Sequence, residues 1–277
     1  MKKVALFIAS IALLGGIATA QDTMYVHQQG GTITKIAVNK IDSIVFNEVA
    51  ITTPPLGTVT VTYGSMTDGE SNSYKTVSIG TQTWMAENLK VTKYNDGTTI
   101  PNVTDATIWS NLTTGAVCTY NNTTNADSIR TYGRLYNWYA VNTGKLCPTG
   151  WHVPSDAEWT TLQTYLVANG YNYDGTTTDN KISKSMASTT GWYSSTNAGT
   201  IGNNPSTNNK SGFTALPGGA RNFGGTFDKI GNYGLWWSST EGSTSYAYLR
   251  YLHYNYNYLN YSFNYKVSGF SVRCLRN

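Results

Sequence analysis

Short runs in which apolar and polar residues alternate dominate the chain and predict a strand-rich fold. Residues 74–79 alternate in this way, and a second run starts at Gly80 and reaches Met85. Because successive side chains of a strand point to opposite faces, each run predicts one strand with a buried face. Similar runs predict further strands at residues 213–216, 234–239, 246–252, 254–260 and 268–275.

One segment carries the longer period of a helix. Ser155 and Glu158 form an S-x-x-E capping box at its start. An Asn-Gly pair at residues 169–170 predicts its end. A weaker helical pattern covers residues 179–187, and the Ser/Thr/Asn/Gly-rich span 188–211 predicts a long surface loop. The apolar side chains that recur every three or four residues in the main helix are Trp159, Leu162, Tyr165 and Leu166.

Residues 1–20 have the pattern of an export signal. A short basic start is followed by an apolar run and by small residues just before Gln21. The apolar run is too short for a comfortable membrane span, and no later stretch of the mature chain predicts a transmembrane segment. We therefore expect an exported protein that is secreted or held at the cell surface, with the periplasm as an alternative.

Three regions follow the predicted signal. Residues 21–48 predict a small β unit, in which a hairpin around Gln-Gln-Gly-Gly precedes a third strand at residues 41–46. Residues 49–58 contain a Pro-Pro pair and predict a linker. The main domain is expected at residues 59–277, a length sufficient for a sizeable core.

Composition and charge disfavour several classes of function. Only 12% of the residues are charged, and the net charge of +4 is spread without a basic cluster, so nucleic-acid binding is not expected. His27, His152 and His253 have no metal-ligand partner at short spacing, so no metal site is predicted. We expect no cofactor and no catalytic residue, and we interpret His152 as structural.

The chain has three cysteines, at positions 118, 147 and 274. In an exported protein they can oxidise, but an odd number leaves at least one unpaired. A bridge between Cys147 and Cys274 would connect the segment before the main helix to the last strand. Three buried thiols are the alternative that the sequence leaves open.

The segment 246–265 has the composition of a recognition surface. Eight of its twenty residues are Tyr and four are Asn. Tyr offers a large and rigid contact area with a polar end, and Asn adds adaptable donors and acceptors. We predict a ligand-binding surface formed by Tyr246, Tyr248, Arg250, Tyr251, His253, Tyr254, Asn255, Tyr256, Asn257, Tyr258, Asn260, Tyr261, Asn264 and Tyr265.

Alternation within this segment predicts which side chains point outward. Ala247 and Leu249 alternate with Tyr and Arg, so Tyr246, Tyr248 and Arg250 are expected on the outer face of one strand. In the next predicted strand, 254–260, the Tyr side chains share one face and the Asn side chains share the other. A Tyr-rich sheet without a ligand, with those Tyr rings in the core, is the alternative.

Six motifs resemble those of the Fibrobacter succinogenes major paralogous domain, and the resemblance extends over residues 59–277. They are IGTQTWMAENL at residues 79–89, YGRLYNW at 132–138, LCPTGWHVP at 146–154, LPGG at 216–219, WWSS at 236–239 and GFSVRC at 269–274. The resemblance implies an α+β, C-type-lectin-like fold with twisted antiparallel sheets, one or two helices and long irregular loops.

In some members of this wider group a retroelement diversifies the C-terminal end of the gene at adenines. The Tyr/Asn mixture of residues 246–265 is what such a process would leave. We therefore expect an exported binding protein whose partner is a protein or glycan on another cell, a phage or a host surface. A structural or self-assembling cell-surface protein is the first alternative, and a secreted hydrolase is a less favoured one.

Overall fold

The computed structural model describes residues 23–27, 33–37 and 61–277. The chain divides into two units, Met1–Thr58 and Val59–Asn277. In the first unit, strand β1 (Thr23–His27) pairs with the antiparallel strand β2 (Ile33–Ala37), which confirms the predicted hairpin. The predicted export signal, third strand and linker lie outside the described residues.

The second unit combines several antiparallel sheets with few helices, so its class is α+β. Its helices are α1 (Ala106–Ser110), α2 (Ala126–Tyr132), α3 (Trp138–Val141), α4 (Asp156–Ala168) and α5 (Ser183–Met186). Its strands are β3 (Tyr63–Thr67), β4 (Ser73–Ile79), β5 (Gln82–Met85), β6 (Val117–Cys118), β7 (Leu135–Tyr136), β8 (Trp151–His152), β9 (Gly218–Arg221), β10 (Phe227–Ile230), β11 (Tyr233–Glu241), β12 (Tyr246–His253), β13 (Asn260–Tyr265) and β14 (Leu275–Arg276).

Two sheets organise this unit. The larger has the order β3-β4-β5-β14-β8, so the last strand of the chain lies between β5 and β8. The smaller has the order β11-β12-β13, and two-stranded pairs form between β9 and β10 and between β6 and β7. The β12 strand is therefore central in its sheet, whereas β13 is hydrogen-bonded to another strand on one side only within residues 61–277. More helices are present than the one or two expected, although only α4 exceeds seven residues.

The predicted main helix is confirmed as α4. Its capping box forms as expected: Ser155 accepts a hydrogen bond from the Glu158 backbone, and the Glu158 carboxylate accepts one from the Ser155 backbone. The helix buries Trp159, Leu162 and Leu166 in a cluster with side chains of the neighbouring strands. Tyr165 belongs to the same periodic pattern but is exposed.

The predicted strand at residues 254–260 is wrong, because residues 254–259 form a turn and β13 begins only at Asn260. The backbone groups that a strand would use for pairing are occupied by distant loops. Tyr254 O accepts from Gly202 N at 2.8 Å, and Tyr256 O accepts from Ser183 Oγ at 2.9 Å. The Asn180 side chain bonds both backbone groups of Leu259.

Three weaker predictions are corrected in the same way. The helix expected at residues 179–187 is the single turn α5. The segment 213–216 makes only one strand-like bridge, from Ala215 to Ala187. Residues 268–275 do not form one continuous strand. Phe270 makes an isolated β-bridge to Tyr136 and Ser271 makes one to Trp236, and β14 begins only at Leu275. The long loop at residues 188–211 is confirmed, with one short 3-10 turn at Pro205–Thr207.

A disulfide connects Cys147 to Cys274, with their Cα atoms 6.0 Å apart. The bridge between the segment before α4 and the last strand is therefore confirmed, and the alternative of three thiols is wrong. Cys118 is a free, buried thiol. Within the described ranges, no helix combines the length and the apolarity needed to cross a bilayer.

Candidate functional site

The ribbon of β12 and β13 carries the Tyr/Asn segment and has two distinct faces. Antiparallel pairing places Tyr246 opposite Tyr265 and Tyr248 opposite Phe263. Arg250 is opposite Tyr261. Because directly opposed residues point to the same side of a sheet, these six side chains share one face. The intervening residues Ala247 and Leu249 point to the other face, where they join the core.

We call the exposed aromatic part of this face the edge patch, which consists of Tyr246, Tyr248, Tyr261, Phe263, Tyr265 and Phe223. Tyr261 is 66% exposed and Phe263 60% exposed, and Phe223 reaches the patch from the β9–β10 hairpin with 55% exposure. Four of the nine exposed large hydrophobic side chains in residues 61–277 belong to it: Phe223, Tyr261, Phe263 and Tyr265. Among residues 61–277, the edge patch therefore carries nearly half of the exposed large hydrophobic side chains.

Ring contacts connect four of the six edge-patch side chains. Phe223 and Tyr265 have ring centroids 4.8 Å apart, and Tyr265 and Tyr246 are separated by 4.6 Å. Tyr246 in turn meets Phe263 edge-on at 5.7 Å. A hydrogen bond to the phenol of Tyr265, together with desolvation, raises the pKa of Tyr246, so the Tyr246 hydroxyl stays protonated near neutral pH. The ring contacts order this part of the surface before any ligand arrives.

An open groove of about 390 Å³ lies beside the edge patch. Four aromatic side chains of the patch line it, together with polar residues of the β9–β10 hairpin and of β13. Among these, Asp228 has a buried oxygen, Oδ1, without a hydrogen-bond partner in the described structure. Lys229 lines the same groove. Aromatic walls with a few convergent polar groups are the usual composition of a ligand site.

Arg250 does not belong to this exposed surface, and the prediction that it points outward as a specificity residue was wrong. The residue is 3% exposed. Its Nε donates to Asp156 Oδ1 at 2.9 Å, and a terminal nitrogen donates to Thr160 Oγ1 at 2.9 Å. Tyr261 covers the guanidinium at 5.3 Å. The alternating pattern places the side chain on the correct face, but α4 packs over that end of the strand and pairs with it.

A second group, here called the turn cluster, consists of Tyr233, Tyr251, His253, Tyr254, Tyr256 and Tyr258. The Tyr256 and Tyr258 rings are stacked, with centroids 5.1 Å apart and planes 8° apart. His253 contacts Tyr233 and Tyr256, each at 4.4 Å. Most of these side chains are half-buried. The Tyr residues that were predicted to share one face of a strand therefore lie in a turn, where their rings pack on one another.

Burial sets the protonation of the turn cluster. It raises the pKa of Tyr233 and of Tyr251, and the neighbouring phenols add to both effects. Burial also lowers the pKa of His253 below its ordinary value of 6.5. These three groups are accordingly neutral at pH 7.

The asparagines of the segment mostly bind the protein itself. The Asn255 side-chain oxygen accepts from Ser195 Oγ at 2.6 Å and from Asn197 Nδ2 at 2.9 Å. Asn264 accepts from Ser268 Oγ at 3.0 Å, and the Asn257 carbonyl accepts from the Ser183 backbone at 3.3 Å. Asn260 is the exception, since its buried amide nitrogen has no partner in the described structure.

The sequence-predicted residues thus separate into two surfaces rather than forming one. Tyr246, Tyr248, Tyr261 and Tyr265 lie in the edge patch, whereas the residues from Tyr251 to Tyr258 belong to the turn cluster or support it. The prediction missed Phe263, although its alternation with Tyr261 and Tyr265 could have identified it. It also missed Phe223, for which the sequence carries no local signal.

The turn cluster should contribute to the stability of the domain as well as to its exposed aromatic surface. Replacing Tyr254, Tyr256 and Tyr258 together by Ala removes several aromatic contacts, each worth about 0.5–1.5 kcal/mol. We expect a loss of about 2–3 kcal/mol, which for a domain of this size lowers Tm by roughly 5–10 °C. Differential scanning calorimetry checks this value, and an unchanged Tm would show that the rings are loosely held.

The remaining candidate chemistry is structural. Both ring nitrogens of His152 are engaged, at 2.8 Å from Glu158 Oε1 and 2.7 Å from Asn277 Oδ1, as expected of a structural histidine. Residues 61–277 contain no group of three His, Cys, Asp or Glu side chains placed to hold a metal ion.

The family model described as the Fibrobacter succinogenes major domain matches residues 77–276. No curated protein and no solved structure matches the chain.

Proposed function

The chain belongs to the Fibrobacter succinogenes major domain family, and from that premise we propose that it is an exported binding protein whose edge patch and adjoining groove recognise a ligand. The scaffold in this proposal is of the C-type-lectin-like kind. The partner is a protein or a glycan on another cell, a phage or a host surface. Diversification of the segment 246–265 by a retroelement stays a prediction from the family resemblance.

One observation carries the proposal: the continuous, exposed aromatic surface from Phe223 through Tyr265 and Tyr246 to Phe263. Large exposed apolar areas are uncommon on proteins without a partner, and they usually mark interaction sites. Tyr side chains also bind at low entropic cost, because only two torsions must be fixed. The polar groups of the groove would then supply selectivity.

Rigid support behind the patch favours recognition over flexible adhesion. The β12 strand is hydrogen-bonded on both sides, and Arg250 holds it to the first turn of α4. At the other end of the ribbon, the Lys266 ammonium binds Thr244 O at 2.9 Å and forms an ion pair with Glu241. A surface that is ordered in advance loses little conformational entropy when it binds.

The disulfide supports the proposal that the protein is exported from the cytoplasm. Bridges such as Cys147–Cys274 persist in oxidising compartments and are rare in reducing ones. The proposed location is therefore outside the cytoplasm, in the secreted or surface-held form that the predicted signal at residues 1–20 would produce.

The structure also favours self-assembly as a second candidate function. In the described residues β13 is paired to a strand on one side only, and residues 260–265 carry no charge and no proline. Proteins usually protect an exposed edge strand with charged side chains or proline, and β13 has neither. Two copies could pair through β13 and cover the edge patch on each other.

A triple replacement of Tyr261, Phe263 and Tyr265 by Ser tests the proposal. Residues at the centre of an interface each contribute about 2 kcal/mol or more, so we expect binding to fall by at least about 100-fold. Because the three side chains are exposed, Tm should fall by less than about 4 °C. Binding is measured with fluorescent protein on a glycan array and on intact bacterial and animal cells.

Tyr173→Ser is the matched control, since it removes an exposed ring outside the patch and should leave binding intact. Sedimentation equilibrium over a hundredfold range of protein concentration distinguishes the two candidates. Association that the triple replacement abolishes, without any array or cell signal, would support self-assembly. Array or cell binding that the triple replacement leaves unchanged would contradict the role of the edge patch.

A further inference from the structure

A separate cavity of about 480 Å³ lies beside α2 and is lined by none of the edge-patch or turn-cluster residues. Three cationic side chains line it, from Lys90, Arg130 and Arg134, against one carboxylate, from Glu87. Asn72 and the apolar side chain of Ile129 also face it. The formal charge of this lining is positive on a chain that is otherwise sparsely charged.

Arg134 has unused donors. Its Nε donates to Lys90 O at 2.9 Å, which fixes the orientation of the half-buried guanidinium. Within residues 61–277 its two terminal nitrogens have neither a hydrogen-bond acceptor nor an ion-pair partner. The contrast with the fully buried Arg221 and Arg273 is clear, because backbone carbonyls accept from both terminal nitrogens of each.

The other charges of the cleft are already engaged. Lys90 lies 3.6 Å from Glu87 and 4.6 Å from the centre of the Tyr74 ring. Arg130 pairs with Asp127 at 2.9 Å on the exposed surface of α2. The positive potential thus has several sources, but among these cations Arg134 combines free terminal nitrogens with a half-buried guanidinium that a backbone hydrogen bond holds in place.

We propose that this cleft binds an acidic sugar, whose carboxylate or sulfate group accepts two hydrogen bonds from the terminal nitrogens of Arg134. The planar guanidinium fork matches such oxyanions in a bidentate geometry, and charge-assisted hydrogen bonds of this kind are strong. One guanidinium with two free terminal nitrogens is suited to a ligand that carries one anionic group. The cavity volume lies within the range of small-molecule sites, with room for a sugar ring against Ile129 and Asn72.

The test is an NMR titration of the purified protein with glucuronic acid, galactose 6-sulfate and neutral glucose. We expect both acidic sugars to bind at least about tenfold more tightly than glucose, since a charge-assisted contact is lost with the neutral sugar. The relative response to the carboxylate and to the sulfate identifies which oxyanion the cleft prefers. Raising the salt concentration should weaken both, because exposed charges are screened.

Arg134→Gln should reduce the affinity for the acidic sugars by about tenfold or more, and Arg134→Lys should restore only part of it because the fork is lost. Arg276→Gln is the matched control, since it removes an exposed arginine outside the cleft. Glu87→Gln removes the only carboxylate of the lining and should tighten binding.

Equal affinity for glucose, or full affinity in a folded Arg134→Gln variant, would overturn the proposal. If Arg134→Gln does not fold, the Glu87→Gln variant decides, and the absence of tighter binding rejects the site. The edge-patch triple variant should bind the acidic sugars normally. This result would separate the cleft from the proposed function, which does not depend on it.

Discussion

Replacing Arg273 by Ala is expected to destabilise the main unit by about 4 kcal/mol, one of the largest effects of any single change. The side chain is fully buried, and among the described residues no carboxylate is in hydrogen-bond contact with it. Its guanidinium donates to Phe213 O, to Thr214 O at 2.7 Å and to Asn88 Oδ1 at 3.1 Å. Removal would leave two buried backbone carbonyls without donors and would open a cavity.

Aromatic packing adds to this cost. The Arg273 guanidinium lies 4.4 Å from the centre of the Phe213 ring and 5.6 Å from that of Trp236. Burial lowers its pKa to about 9, so the group remains charged at pH 7. Trp236 belongs to β11, the strand beside β12, and the arginine therefore stabilises the sheet that presents the edge patch.

Urea denaturation monitored by Trp fluorescence measures the effect. Arg273→Lys should recover less than half of the loss, because an ammonium cannot reach three acceptors in the plane of a guanidinium. Arg276→Ala, at the exposed position of β14, should cost less than about 0.5 kcal/mol. A loss below 1 kcal/mol for Arg273→Ala would show that the network relaxes around the missing group.

Loss of the Cys147–Cys274 disulfide is expected to cost about 4–5 kcal/mol, the second large effect. The bridge closes a loop with a sequence separation of 127 residues, and in the chain-entropy model the stabilisation grows with loop length. The loop contains α4 and all three strands of the sheet β11-β12-β13. Its closure therefore restricts the unfolded chain over the region that forms the candidate site.

The measurement compares the unfolding free energy of a double Cys147→Ala, Cys274→Ala variant with that of the unmodified protein. Cys118→Ala is the control, because it removes a buried thiol of the same size without opening the bridge. We expect the control to lose about 1 kcal/mol. If the double variant lost no more unfolding free energy than the control, the disulfide would not stabilise the protein by restricting the unfolded chain.

Local patterns predicted the elements whose signals lie within a few residues. The α4 helix combines a capping box with an apolar period and a stop signal, and each of these acts over one or two turns. The β12 strand likewise alternates between Ala247, Leu249 and the Tyr side chains of its other face. The family followed from the ordered motifs, several of which supply buried tryptophans such as Trp84 and Trp237.

The predictions failed where distant segments compete for the same groups. Residues 254–259 have a strand-like composition, but Asn180, Ser183 and Gly202 occupy their backbone groups. Arg250 follows the alternation of an exposed face, yet α4 supplies Asp156 and buries it. In both cases the partner lies tens of residues away, and no local period encodes it.

The amino-acid sequence by itself determined the family, the helix α4 and the aromatic composition of the ribbon, but it left open whether Cys147 and Cys274 pair. Only the tertiary structure decided that the Tyr/Asn segment divides into two surfaces, that Phe223 completes one of them, and that Arg250 supports the ribbon instead of facing a ligand. The physical reason is that composition and periodicity act between neighbours along the chain. Exposure is set by whichever distant element packs over a given face.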